Sequence, residues 1–340
     1  MSLSRKLIFI VGNSRSGTTM LGRILGNNSE IHTFGELHFF EHQVDANDTL
    51  NRPIMSDESR LKLLERLLTS ARDGFFSGIQ HGKYRREALK IDSVSKSNSA
   101  IDVYEEFLHY ETVMNSKSIP CEQTPRYLFF SQEILDVFPN AVIINMVRDP
   151  RDVLLSQKNK WRRRFLGAEN IPLWEAVRSW VNYHPWLISR LWLSAIRVAS
   201  ELESHDRFLS IKFEELVQMP EATIKRLCEF LGVEFEYQMI EVPQVGSSNG
   251  SDRPDKKGID LSRTQVWKKG GLSNVELYIC QQVSGVEMRN WGYKLVQLPV
   301  SEVRYFGSIL MLFFKGSMAL LMNVGRTKNL YETLQRRLNK

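Results

Sequence analysis

A donor-rich loop near the start of the chain is the first place where the residue types indicate chemistry. Gly12 and Gly17 bracket Asn-Ser-Arg-Ser, and two threonines follow at once. Five apolar residues before the loop predict a buried strand, and residues 18–25 predict a helix. A strand, a tight loop and a helix N-terminus together present backbone N–H groups and the positive end of a helix dipole. We therefore predict a site for a phosphate-like group at Ser14, Arg15, Ser16, Gly17, Thr18 and Thr19.

The loop departs from the P-loop pattern G-x-x-x-x-G-K-[ST] at one informative position. Thr18 stands where P-loop kinases and ATPases have the lysine that reaches the β- and γ-phosphates. A cation is present instead at Arg15, inside the loop. The pattern therefore favours a phosphate-like ligand over a nucleoside triphosphate. A turn without any ligand is the alternative, and the number of hydroxyl donors disfavours it.

A second anion site is predicted at the end of another strand. Residues 141–147 form an apolar run that predicts a buried strand of the parallel type, and Arg148 follows it directly. Ser156 lies eight residues further on, in a predicted helix. Two separate anion sites on one parallel sheet predict a ligand with two anionic ends.

The order of strands and helices predicts the fold class. Strands alternate with helices along the chain, which indicates parallel βαβ units. We expect an α/β fold with a P-loop NTPase-like parallel sheet flanked by helices, with helical insertions and a C-terminal amphipathic helical tail. The predicted organisation is one domain over residues 1–299, with a helical substrate-side insertion at 41–118, and a basic tail at 300–340.

Two further segments carry structural expectations. Residues 172–204 predict a helix with a kink at Pro185, and four tryptophans recur there every six residues. A buried helix is favoured over an aromatic platform for a sugar. Residues 243–260 are rich in glycine, serine and charge, and predict a mobile loop.

Composition excludes several classes of protein. The 340 residues are 42% hydrophobic and include three cysteines without any C-x-x-C pair, which disfavours a disulfide framework and a zinc site and favours a reducing compartment. No removable targeting segment is expected, because the first strand begins within about seven residues of Met1. The net charge is +6, and residues 301–340 carry seven Lys/Arg against two Glu. The body is therefore nearly neutral, and nucleic-acid binding by it has no support.

The tail predicts membrane contact. Between Tyr305 and Val324 the only charged residue is Lys315, whose central position costs a spanning helix roughly 2.5–3.5 kcal/mol. A narrow polar stripe lies within about 60° of a helical wheel and consists of Ser301, Arg304, Ser308, Lys315 and Arg326. This pattern favours a helix at a membrane surface, assisted by Arg336 and Arg337. A spanning helix, a helix packed on the body and a dimer contact are the alternatives.

These motifs taken together resemble the PAPS-dependent sulfotransferases, in the bacterial and tyrosylprotein–carbohydrate branch. The resemblance covers about residues 5–296 and is carried by residues 14–19, 147–156, 212–220 with 230–232, and 267–268 with 272–273 and 292–293. It implies that residues 14–19 bind the 5′-phosphosulfate of the donor, and that Arg148 and Ser156 bind its 3′-phosphate. It also explains the absent lysine, because sulfuryl transfer from PAPS needs no metal-held γ-phosphate.

The resemblance implies roles for further residues. Glu36 resembles the glutamate that serves as general base, with His32 and His38 as alternative bases. Arg15 would stabilise the transition state and Lys268 would close over the same group. Either Ser247 or Ser248 would donate to the bridging oxygen, and Ser248 is the residue we select. Lys160 occupies a second basic position of the 3′-phosphate motif.

Two positions depart from the family pattern. Gln123 stands where a lysine-containing turn is frequent, and Phe213 stands where tyrosine is frequent. The predicted function is sulfuryl transfer from PAPS, without a metal, to a hydroxyl acceptor that is a glycan, a glycolipid or a tyrosine. The predicted location is cytoplasmic, at the inner face of a membrane. A P-loop nucleotide kinase and a catalytically idle, membrane-associated nucleotide-binding protein are the alternatives.

Overall fold

A five-stranded parallel sheet lies at the centre of the structure. The structure is a computed structural model that describes residues 6–42, 51–74, 82–94, 98–166, 171–246, 248, 250, 252–323 and 335. The strands are β1 Leu7–Gly12, β2 Ile31–Thr33, β3 Ile119–Glu122, β4 Ala141–Val147 and β5 Phe208–Lys212. Their order is β2-β3-β1-β4-β5, and every neighbouring pair is parallel. The predicted α/β fold with a parallel sheet is confirmed.

Helices cover both faces of this sheet. They are α1 Thr18–Gly26, α2 Phe39–His42, α3 Asp57–Arg72, α4 Arg85–Val94, α5 Ala100–Met114, α6 Ser131–Val137, α7 Pro150–Lys158, α8 Leu173–Val181, α9 Pro185–Leu202, α10 Phe213–Gln218, α11 Pro220–Leu231, α12 Asn274–Asn290 and α13 Glu302–Asn323. Alternate side chains of β1 point to opposite faces. Phe9 packs into one large hydrophobic core and Ile10 into another. The apolar run of β1 is thus buried on both sides, as a central parallel strand requires.

The predicted insertion contributes to the core. It contains α3 and α5, whose N-termini are capped by Ser56 and Ser99. Leu64 on α3 and Phe107 on α5 are buried in the same core as Phe9. These helices therefore form one layer of the fold, and removing them would expose that side of the sheet.

The tryptophan-rich segment forms two helices, so the prediction of one kinked helix is wrong. α8 ends at Val181 and α9 begins at Pro185, because proline lacks an N–H and its fixed φ suits the first turn of a helix. The ring of His184 accepts a hydrogen bond from the backbone of Trp186 and caps α9. Trp192 is buried on α9, as predicted, whereas Trp180 on α8 is half exposed.

Two shorter segments complete the description. A 3-10 helix, Pro125–Phe130, leads into α6. The segment predicted as a loop over 243–260 contains a short antiparallel pair, β6 Pro243–Gln244 and β7 Arg253–Lys257.

The tail helix α13 packs its polar stripe on the body, the arrangement named above as an alternative. Lys315 Nζ donates to the carbonyl of Tyr183 at 3.1 Å and lies 4.5 Å from the centre of the Trp180 ring. The ring nitrogen Nε2 of His184 donates to the carbonyl of Ser308 at 3.0 Å. By length and composition α13 could span a bilayer, and it is the one such helix in the ranges given above. Arg326, Arg336 and Arg337 lie outside those ranges.

Candidate functional site

The loop between β1 and α1 has the close backbone approach that its glycines predict. Gly17 has φ +101°, and a Cβ atom there would lie 2.4 Å from the ring of Phe213. Ser16 is fully buried, and its hydroxyl has no partner among the described atoms. The loop leads directly into Thr18 and Thr19 at the N-terminus of α1, where the first N–H groups of a helix lack intrahelical partners. The predicted residues 14–19 thus lie together at the carboxyl end of β1.

Arg15 joins three distant parts of the chain. Its Nε donates to Ser156 Oγ at 3.0 Å, and one Nη donates to the carbonyl of Gly246 at 3.1 Å and to Ser248 Oγ at 2.7 Å. Burial, followed by the charge of Arg148, lowers the pKa of Arg15 to about 10, so it remains a cation at neutral pH. Its φ is +75°, in the left-handed region that non-glycine residues rarely adopt.

Arg148 lies on the other side of the same loop. Its guanidinium donates to the carbonyls of Arg15 at 3.2 Å and Arg263 at 2.9 Å, and stacks 4.2 Å above the ring of Phe213. Its Nε is buried without a partner among the described atoms. Burial lowers the pKa of Arg148, although Asp152 opposes the shift. The two predicted anion sites are therefore adjacent, and Phe213 contacts both of them.

Glu36 stands in a chain of charged groups beside this loop. His38 Nε2 lies 3.1 Å from a Glu36 oxygen and its Nδ1 lies 2.9 Å from a Glu41 oxygen, while Arg126 donates to Glu41 at 2.8 Å. Burial lowers the pKa of His38, but the two carboxylates outweigh burial and raise it to about 9. Burial raises the pKa of Glu36, but His38, Arg126 and Lys160 outweigh burial and leave it below its ordinary value. At neutral pH, Glu36 is a carboxylate and His38 is an imidazolium.

Lys160 lies near the same charged groups. Desolvation by the surrounding protein, followed by the charges of Arg15 and Arg126, lowers the pKa of Lys160 to about 8, while Glu36 opposes the shift. The side chain nevertheless stays open to solvent. Arg15, Lys160 and Glu36 therefore lie close enough to interact electrostatically, although they come from three separate segments.

Some predicted residues are not joined to this cluster. Lys268 is exposed, and its Nζ donates to Gln265 at 2.7 Å. Ser247 lies outside the described residues. His32 packs against Phe34, and the charges that shift its pKa, after burial, are those of Glu111 and Lys117. The structure gives Lys268 and His32 no contact with the loop among the atoms it describes.

The two departures from the family pattern both lie at the loop. Gln123 is buried, and its amide nitrogen approaches Thr19 Oγ1 at 3.4 Å. Its amide oxygen sits where a side chain at Gly22 would clash. Gln123 therefore packs against the first turns of α1 and brings no charge to the loop.

Sequence reasoning missed Glu41 and Arg126. Neither residue belongs to a motif, and only the fold brings them to His38. His38, Glu41 and His42 have ligand atoms within 4.8 Å of one another, a spacing that a metal ion could use. However, His38 carries a proton between two carboxylates, and Arg126 already binds Glu41. This charge state suits an ion-pair chain better than a metal site.

Comparisons with known proteins give a consistent result. Residues 8–237 match the sulfotransferase family. The chain is 27% identical to sulfotransferase 2A1 of Macaca fascicularis over 168 residues. That match covers 46% of this chain and 56% of the relative. The sulfotransferase domain from the Curacin biosynthetic pathway aligns with a TM-score of 0.51 at 19% identity, covering 86% of this chain and 99% of that one. The sulfotransferase domain from the Synechococcus PCC 7002 olefin synthase aligns with a TM-score of 0.53 at 19% identity. That alignment covers 86% of this chain and 96% of that one. These two structures bear on the fold alone, and the chain spans only about half the length of the curated relative.

Proposed function

The chain belongs to the sulfotransferase family, and on that premise we propose that it transfers a sulfuryl group from PAPS to a hydroxyl acceptor. The observation that carries the proposal is the convergence of Arg15, Arg148 and Ser156 at the carboxyl ends of β1 and β4. Ligands of open α/β sheets bind at that edge. The partly buried cations there suit a donor with phosphate at both ends, and none of the chemistry requires a metal.

The proposed division of labour follows the two anion sites. Residues 14–19 hold the 5′-phosphosulfate through backbone N–H groups and hydroxyls. Arg148, Ser156 and Lys160 hold the 3′-phosphate, and the guanidinium of Arg148 suits a phosphate because it can donate two parallel hydrogen bonds. PAPS supplies an activated sulfuryl group, and PAP is the leaving group.

Glu36 is the proposed base. The acceptor oxygen forms a bond to sulfur while the bond from sulfur to the 5′-phosphate oxygen breaks, and the hydroxyl proton goes to Glu36. The choice of Glu36 as the base is supported by its ionised state at neutral pH, whereas the protonated ring of His38 cannot accept a proton. His38 instead holds the Glu36 carboxylate in place.

Arg15 and Ser248 are proposed to stabilise charge on the departing phosphate. They already share a hydrogen bond of 2.7 Å, so a group that binds Arg15 would also lie near the serine hydroxyl. Lys268 is proposed to close over the same group, which requires its side chain to leave Gln265.

The acceptor is proposed to be a glycan, a glycolipid or a tyrosine. Contact of residues 301–340 with the inner face of a membrane is part of the same proposal, and the outward apolar side of α13 supports it. The domain division at residue 299 also stays a proposal.

The test uses ³⁵S-labelled PAPS and an extract of acceptors, with PAP binding measured by calorimetry. We expect Glu36→Gln to reduce transfer about 10²- to 10⁴-fold while PAP affinity is kept. Glu229→Gln, an exposed change on α11, is the matched control and should keep full activity. Transfer that survives in Glu36→Gln would remove Glu36 as the base. PAP binding without transfer to any acceptor would favour the idle binding protein, and Mg-ATP hydrolysis would favour the kinase.

A further inference from the structure

An apolar surface extends over α13 and the neighbouring helix α8. The outward side chains of α13 are strongly exposed, among them Phe306 at 67%, Leu310 at 72%, Phe314 at 64% and Leu321 at 75%. Trp174 on α8 is 57% exposed. A surface helix of a globular protein normally turns its apolar side inward. Contiguous apolar patches of this kind mark sites of interaction with a protein or a membrane.

The orientation of α13 is fixed by its polar residues. Lys315 is bound to the carbonyl of Tyr183, and the carbonyl of Ser308 accepts from the ring of His184. At the end of the helix, Asn323 accepts a hydrogen bond from Arg178 at 3.0 Å. Turning the apolar side inward would break all three contacts. The helix has 22 residues and is about 33 Å long, so its outward side is a long apolar strip.

Cations lie beside α8 and follow α13 in the sequence. The 3-10 helix Lys160–Phe165 packs beside α8 and carries three consecutive arginines, of which Arg162 is exposed and Arg163 pairs with Asp252. After Asn323 the sequence continues with five Lys/Arg and one Glu in residues 324–340. An apolar strip together with a tryptophan and cations matches the composition of helices that lie in the interface of a membrane with anionic lipids.

We propose that the outward side of α13, together with Trp174 and Arg162, docks in plane on an anionic lipid bilayer. The helix lies flat with its polar stripe against the protein and its apolar side in the lipid. This inference deepens the membrane contact of the proposed function and names its surface and its lipid. It does not depend on sulfuryl transfer.

Docking in this way brings the group of Lys160 and Glu36 toward the membrane. Arg178 binds the end of α13 through Asn323 and also lies close enough to Lys160 to influence it. The end of the docked helix therefore lies on the side of the molecule that carries Lys160 and Glu36.

The test is flotation of the full chain with vesicles of phosphatidylcholine alone or with added phosphatidylglycerol. We expect binding to the anionic vesicles, and a reduction of at least about tenfold in the double variant Leu310→Gln/Phe314→Gln, because each change removes apolar area from the lipid contact. Val303→Gln/Leu321→Gln is a second pair, used if the first misfolds. Arg162→Gln should weaken binding to the anionic vesicles only.

The control is Leu261→Gln/Val286→Gln, which removes two exposed apolar side chains outside α8 and α13 and should leave flotation unchanged. Equal flotation of the wild type and both α13 variants would overturn the proposal. So would resistance to alkaline carbonate, which would show a spanning helix. A wild-type dimer that Leu310→Gln/Phe314→Gln dissociates, with no lipid binding, would assign the surface to a second copy. PAP binding is measured on the same samples, so a failure of docking is separate from a failure of the proposed function.

Discussion

The protonated state of His38 predicts a distinctive pH dependence of stability. The folded protein holds the pKa of His38 at about 9 against an ordinary value of 6.5, because Glu36 and Glu41 outweigh the effect of burial. The native state therefore binds this proton more tightly than the unfolded chain does. The resulting stabilisation is fully present below pH 6.5 and is lost as the pH rises through 9. At about 1.4 kcal/mol per pKa unit, it amounts to at most about 3.5 kcal/mol.

The assay is urea unfolding of the wild type and of His38→Gln at about pH 6, 7.5 and 9.5. We expect the difference in free energy of unfolding to shrink by about 2 to 3 kcal/mol across this range. Taking the difference removes the titrations of groups that His38 does not influence, because both proteins share them.

His32→Gln is the control for this assay. Burial lowers the pKa of His32. The difference in free energy of unfolding between the wild type and His32→Gln should therefore not shrink as the pH rises above 6.5. A difference between the wild type and His38→Gln that stays flat with pH would refute the assignment of a proton to His38 between Glu36 and Glu41.

Three other predictions concern the loop and its partners. Gly17→Ala should lower the free energy of unfolding by about 1 to 3 kcal/mol. The new Cβ would clash with the ring of Phe213, and the φ of +101° is strained for any residue but glycine. Phe213→Leu should recover part of this loss in thermal denaturation, and no recovery would contradict the clash. Arg148→Lys should weaken PAP binding at least about tenfold in calorimetry, because lysine cannot form two parallel hydrogen bonds or stack on Phe213. An unchanged dissociation constant would place the 3′-phosphate elsewhere. Lys268→Met should reduce kcat by at least about tenfold while PAP affinity changes less, and Lys269→Met, its exposed neighbour, should change neither. Equal kcat in both variants would contradict the role proposed for Lys268.

The parts of the site that were predicted from sequence depend on local patterns. The loop at residues 14–19 and the pair of Arg148 and Ser156 follow directly from strand ends and helix starts. Parallel strands bring their carboxyl ends to one edge of the sheet. The proximity of the loop to Arg148 and Ser156 therefore follows from the fold class. That inference needs no knowledge of distant contacts.

The parts that could not be predicted depend on contacts between distant segments. Arg15 bonds to Gly246, which is 231 positions away, and Arg126 reaches Glu41 across 85 positions. No motif marks either pair. The direction of the polar stripe on α13 could be named only as an alternative for a similar reason, because the partners of Lys315 are the carbonyls and rings of α8 and its following turn. A helical wheel shows that a stripe exists but not what it faces.

The left-handed backbone at Arg15 has a consequence for engineering this protein. A non-glycine residue at a φ of +75° costs about 1 to 2 kcal/mol, and the nearby charge of Arg148 disfavours the guanidinium further. Glycine at position 15 would relieve both penalties. Sequence-design procedures and thermal screens that reward a relaxed backbone will select that change and discard the cation assigned to the transferring group. Position 15 should therefore be held fixed in any library built to stabilise the chain.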